Sequence, residues 1–92
     1  MGRAFGELAD ELAPATLLAQ VQRVWPGTVG EAIAADAQPT AERGGVVTIS
    51  CSASVWAQEL DLMAPQIIAR LNSSLADGAV QRLRCVAVGY AR

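Results

Sequence analysis

Gln38-Pro39-Thr40-Ala41-Glu42-Arg43-Gly44-Gly45-Val46-Val47-Thr48-Ile49-Ser50-Cys51-Ser52-Ala53 is the stretch in which the hydrophobic period of this 92-residue chain falls to two. Val47, Ile49, Cys51 and Ala53 lie on one side and Thr48, Ser50 and Ser52 on the other, the pattern of a strand with one face against a core. Gly44-Gly45 offers two residues that tolerate positive φ, as a two-residue hairpin turn requires. Gln38–Arg43 before it reads as an edge strand, because Pro39 has no amide hydrogen to give to a central ladder. Together they predict an antiparallel hairpin.

On both sides of the hairpin the period returns to that of a helix. Within residues 14–37, Leu17, Val21, Val24 or Trp25, Val29 and Ile33 recur at three-to-four spacing. Pro14 suits a first helical turn. Pro26-Gly27 interrupts this run, and since proline disfavours helix at the residue before it, a kink or two helical segments meeting near Trp25 are predicted, the in-phase stripe favouring the kink. Downstream, Ser54 is a candidate N-cap, and Trp56, Leu60, Met63, Ile67, Leu71 and Leu75 share one face across residues 54–76. Pro65 predicts a kink or break near Leu62–Ala64, and Asp77-Gly78 a helix end. Residues 80–88 alternate again, with Leu83, Cys85 and Ala87 opposite Arg82, Arg84, Val86 and Val88.

The order helix, strand, strand, helix, strand makes this an α/β (α+β) domain. Its second and third strands, joined by a helix, are expected side by side, parallel, through a right-handed crossover. The expected architecture is a three-stranded mixed sheet with kinked helices on one face and Thr48, Ser50, Ser52, Arg82 and Arg84 on the other. Residues 1–12 read as a loosely ordered acidic lead-in and 13–92 as one domain.

Composition bounds the chemistry. Just over half of the residues are hydrophobic, which suits a folded globule. No apolar run reaches the ~18 residues of a membrane span, and Glu7, Asp10 and Glu11 interrupt any secretory h-region near the start. A cytoplasmic protein is the expectation. The net charge is −2, from seven arginines against nine acids, with no lysine and no histidine. That balance lacks the basic footprint of a strong nucleic-acid binder. Without His, the two cysteines, Cys51 and Cys85, cannot complete a zinc site. Two buried free thiols are favoured over a disulfide.

Enzyme motifs are missing. The common general bases and Schiff-base nucleophiles are absent, and Glu59 and Asp61, two apart on a helix, do not face each other. No catalytic residue, cofactor, metal or small-molecule substrate is expected. Gly27-Thr28-Val29-Gly30 is literally G-x-x-G, a string that clamps nucleic-acid backbone in KH domains, but helix geometry is its commoner explanation. Trp25 and Trp56 both lie on apolar stripes and read first as core. Trp25, beside the kink, is the one expected to be partly exposed and is a candidate partner contact. Arg43, Arg70, Arg82 and Arg84 are solvated charges or a phosphate-contacting patch. Val86 and Val88, on the same strand face as the arginines, suggest a face covered by a partner or a second copy.

Two runs carry a family resemblance. Trp25-Pro26-Gly27-Thr28-Val29-Gly30-Glu31-Ala32-Ile33-Ala34, with Pro39 following, resembles the Trp, Val-Gly, Ile-Ala signature of the DciA family. Ser54-Val55-Trp56-Ala57-Gln58-Glu59-Leu60 resembles its second signature, in which a Trp and a Glu-Leu open the second helix. Leu71-Asn72 and the arginine-rich last strand are similar in kind. Ile33, Trp56 and Leu60 are then core signature positions. The resemblance implies a fold like a type II KH domain, no catalysis, contact with the replicative helicase DnaB, and contact with DNA. The runner-up is a KH-like nucleic-acid-binding module without helicase contact. In type II KH domains the G-x-x-G loop joins the two helices after the second strand. Here that place is Leu62-Met63-Ala64-Pro65-Gln66, without glycine, and the lead-in is acidic where many family members carry basic extensions, so DNA contact is expected to be weak or absent, or to need the helicase as co-partner.

Overall fold

The computed structural model describes residues 16–75 and 80–88. The elements run α1 (Leu17–Val29), α2 (Glu31–Asp36), β1 (Ala37–Arg43), β2 (Val46–Cys51), α3 (Ser54–Leu62), α4 (Ala64–Ser74) and β3 (Arg82–Ala87). The sheet order is β1-β2-β3, antiparallel between β1 and β2 and parallel between β2 and β3. The mixed three-stranded sheet and the element order agree with the expectation from the sequence. The acidic lead-in, Pro14 and the Asp77-Gly78 helix end lie outside the described residues.

The hairpin turns on Gly44 and Gly45 at φ 59° and 88°, where a side chain would strain the backbone. The Glu42 carboxylate accepts a hydrogen bond from the Gly45 amide at 2.8 Å and holds the turn closed. Between Pro39 and Ala41 the register slips by one residue, a bulge that lets Thr40 and Ala41 share one side of the strand.

Two expectations about helix boundaries are corrected. The first helix is not divided at Trp25; it continues through Pro26 to Val29 and breaks at Gly30, whose φ of 96° no helix accommodates. Proline removes the bond to the Gln22 carbonyl, but Gln22 and Pro26 are both exposed, so water can hydrate that carbonyl. The opposite side of α1, bearing Val21, Trp25 and Thr28, stays buried without interruption. Thr16 caps α1 by accepting from the Ala19 amide at 3.0 Å. At α3 the N-cap is Ala53 rather than Ser54, which is the first helical residue. Ala53 therefore leaves the sheet and is exposed instead of extending the buried row of β2. The predicted break at Leu62–Ala64 falls at Met63, with Pro65 in the first turn of α4.

Every described helix packs on the same side of the sheet. The core joins Val21 and Trp25 of α1, Leu60 of α3, and Ile67 and Leu71 of α4 to Ala37, Val47, Ile49, Cys51 and Leu83 of the sheet. Ile33 of α2 and Trp56 of α3 pack against this core, half-buried. Asn72 fastens α4 to the start of β3: its side-chain amide donates to the Val80 carbonyl at 2.9 Å, and its oxygen accepts from the Val80 amide at 3.0 Å.

Candidate functional site on the outer sheet face

The sheet side away from the helices is built by strand alternation. Cross-strand register makes three rows: Arg43, Val46 and Arg82; Ala41, Thr48 and Arg84; Gln38, Ser50 and Val86. Strands lie about 4.8 Å apart, so Arg43 and Arg82 stand roughly 10 Å from each other with Val46 between them. Arg43, Arg82 and Arg84 are all exposed, and Val46, Thr48, Ser50 and Val86 are half-buried. A shallow depression of about 510 Å³ opens among Ala41, Glu42, Arg43, Val46, Thr48 and Arg84.

The face is electrically graded. Its hairpin end carries the three arginines. In the middle, the hydroxyls of Thr40 and Ser50 share a hydrogen bond of 2.7 Å. At the far end Ser52 donates to the Asp36 carboxylate at 3.1 Å, near Val86 and the half-buried Val88. On a chain whose formal charge is −2, one end of one face is thus locally cationic.

Of the four arginines read from the sequence, three come together and one does not. Arg70 lies on α4, on the helical side, where its guanidinium donates to the Thr28 carbonyl at 3.1 Å and satisfies an orphan carbonyl in the last turn of α1. Trp25 is corrected outright as an exposed contact. It is 2% exposed, and its indole N–H donates to the Ala37 carbonyl at 2.7 Å. Because α1 continues through Trp25, the ring stays on the helix face turned to the sheet. Trp56 is the half-buried tryptophan, while Leu60 is fully buried. The G-x-x-G string is the end of α1 and the start of α2, with Gly30 at the break.

Sequence reasoning missed Asn72, whose signal was a poor helix former in an otherwise amphipathic helix. It also missed two exposed apolar side chains on α3, Val55 at 58% and Leu62 at 79%. Leu62 is legible in hindsight, since it falls off the stripe of Leu60, Met63 and Ile67.

The thiols offer no nucleophile. Both cysteines are free. Burial raises the Cys51 thiol pKa, and burial, aided by Cys51 and Asp61, pushes Cys85 up to about 11. Both are protonated at neutral pH, and the thiolate is the reactive form. Cys85 pairs with Ile49 and Cys51 with Ala87, so the two cysteines sit diagonally on adjacent strands. Among the described residues there is no group of three or more His, Cys, Asp or Glu able to hold a metal ion, and no helix is long and apolar enough to cross a membrane.

Comparison with known proteins agrees with the signature residues. The family model described as "Dna[CI] antecedent, DciA" matches residues 1–85. A UPF0232 protein of Rhodococcus jostii is 42% identical over 60 residues, covering 65% of this chain and 32% of that one. A UPF0232 protein of Streptomyces avermitilis is 42% identical over 62 residues, covering 65% and 34%. A UPF0232 protein of Mycobacterium tuberculosis is 30% identical over 86 residues, covering 91% and 46%. The chain therefore spans a third to under half of the length of these relatives. With a family model matched across nearly its whole length, and with both tryptophan signatures set around a helix-covered mixed sheet, the chain belongs to the DciA family.

Proposed function

We propose that this domain is a non-enzymatic, replication-associated adaptor of the DciA type that contacts the replicative helicase DnaB through the outer face of its sheet. One observation carries the reading: all described helices pack on one side, leaving Arg43, Arg82 and Arg84 exposed on the other beside half-buried Val46, Val86 and Val88. Arginine beside apolar surface is the composition of interface centres, where a guanidinium pairs in two directions while its stem covers apolar neighbours. The test is sizing chromatography with light scattering of the domain mixed with DnaB from the same organism. A complex at micromolar concentration supports the reading, and separate elution of the two proteins counts against it.

The same three arginines favour a second reading, contact with nucleic-acid phosphates. Trp25 and Trp56, the only aromatic side chains among the described residues, both lie on the helical side, so the face has no platform for base stacking. Binding would then be weak and indifferent to sequence. Three phosphate contacts on a single strand give a slope of about −2 in log affinity against log salt. An affinity insensitive to salt removes this second reading.

A further inference from the structure

The two edges of the sheet are finished differently. At the β1 edge Pro39 pairs with Ile49 and has no amide hydrogen, so its carbonyl, like that of Ala37 two residues earlier, points away from β2. Side chains of α1 occupy both carbonyls: the Trp25 indole donates to Ala37 at 2.7 Å and the Gln22 amide to Pro39 at 3.0 Å. A bulge follows at once. A missing donor, two occupied acceptors and a bulge together close this edge to further pairing.

Among the described residues the β3 edge has none of these devices, and it opens along its length from Leu83, 4% exposed, through half-buried Cys85 to exposed Ala87. The amides of Arg82 and Val88 donate inward, to the carbonyls of Gly45 and Cys51. By alternation the amides and carbonyls of Leu83, Cys85 and Ala87 point outward, and among the described residues none of them has a partner. Beside this edge runs a groove of about 510 Å³ between α3 and β3, whose lining includes Ala57, Gln58 and Asp61 on the helix and Leu83 and Cys85 on the strand. Exposed Arg82 and Arg84 flank it on the outer face.

We propose that the free edge of β3 accepts an extended acidic segment of another protein as a fourth strand. The edge supplies alternating donors and acceptors, which a polypeptide matches and a phosphate backbone, rich only in acceptors, does not. Arg82 and Arg84 set the choice of strand. A second copy of this chain paired edge to edge would bring two sets of these arginines onto one face, and a basic strand would meet the same repulsion. Glutamate or aspartate at alternate positions meets Arg82 and Arg84 across the new pair, with small apolar side chains falling toward Ala57 and Cys85. The edge is distinct from the outer face, and the inference stands whether or not DnaB is the partner.

Residue-resolved amide hydrogen exchange tests it. In the free protein Leu83, Cys85 and Ala87 exchange fast while Arg84 and Val86 exchange slowly. A peptide of alternating valine and glutamate slows the three outward amides by about tenfold or more, and a peptide of alternating valine and lysine does not. The double variant R82E/R84E reverses that preference. Ala87→Pro, which removes an outward donor at an exposed strand end, weakens protection by the acidic peptide. Slow exchange at the three amides in the free protein overturns the proposal, as does equal protection by both peptides or protection arising from self-association. So does binding of either the acidic peptide or a single-stranded oligonucleotide that leaves the three amides fast.

Discussion

On β2 and β3 the inner row reads Val47, Ile49, Cys51 and Leu83, all at 4% exposure or less, and ends in half-buried Cys85 and exposed Ala87, while the outer row reads Val46, Thr48, Ser50, Arg82, Arg84 and Val86. The rows alternate along the same strands, so every residue added to one is taken from the other. The inner row is uniform because it must fill a core. The outer row is mixed, with cationic, hydroxyl and apolar groups in order along the strands, a pattern that core packing does not demand. Under the proposed function, folding and recognition fall to alternate residues of the same two strands.

That separation is breakable by substitution. The largest effect is expected for Ile49→Ala, which deletes a fully buried side chain at the centre of the inner row. It should cost about 2–5 kcal/mol, a large share of the margin of a small domain, and show as a collapse of the thermal transition by circular dichroism. Next is Trp25→Phe, which strands the buried Ala37 carbonyl and removes part of a ring. A loss of about 1–3 kcal/mol is expected in urea unfolding. Asn72→Ala releases both bonds to the backbone of Val80, a residue 2% exposed, and should cost a comparable amount. Thr48→Ala, one residue from Ile49 but in the outer row, should stay within about 0.5 kcal/mol of the parent. If Thr48→Ala costs as much as Ile49→Ala, the two rows are not separate.

A pH titration sharpens the comparison from the inner side. The folded Cys85 thiol holds its proton up to about pH 11, above its ordinary value of 9.0. The unfolded chain therefore releases that proton first. The thiol's contribution to stability is intact below pH 9 and is lost as pH rises through the folded value. Thermal midpoints should fall across this window, and the fall should be smaller in Cys85→Ala. Equal alkaline slopes in the two proteins would remove Cys85 as the cause.

Much of this arrangement was legible in the sequence. The alternation of Val46–Cys51 and of Arg82–Ala87, with Gly44-Gly45 between the paired strands, dictates the hairpin and puts Arg82 and Arg84 opposite the core. What was not legible depends on direction in three dimensions. Pro26 looks like a helix breaker in one dimension, yet its missing bond faces solvent and costs little. Gly30, four residues on, carries the break because only its positive φ turns the chain. The burial of Trp25 and the placement of Arg70 both follow from an α1 that runs on to Val29. Its continuous inner face brings the indole under Ala37, and its carboxyl end brings the Thr28 carbonyl to the guanidinium. The family signatures reported the right elements, but they marked Trp56 as a core position, and it is Trp25 that is fully buried while Trp56 is half-buried.

The central claim is that the outer row recognises a partner while the inner row holds the fold, and the triple variant R43E/R82E/R84E tests it most directly. Its affinity for DnaB and its thermal midpoint would be measured side by side with the parent domain. An unchanged midpoint and an affinity lowered tenfold or more, about 1.4 kcal/mol, are expected. Undiminished affinity, or a loss of affinity that merely tracks unfolding, would contradict the claim.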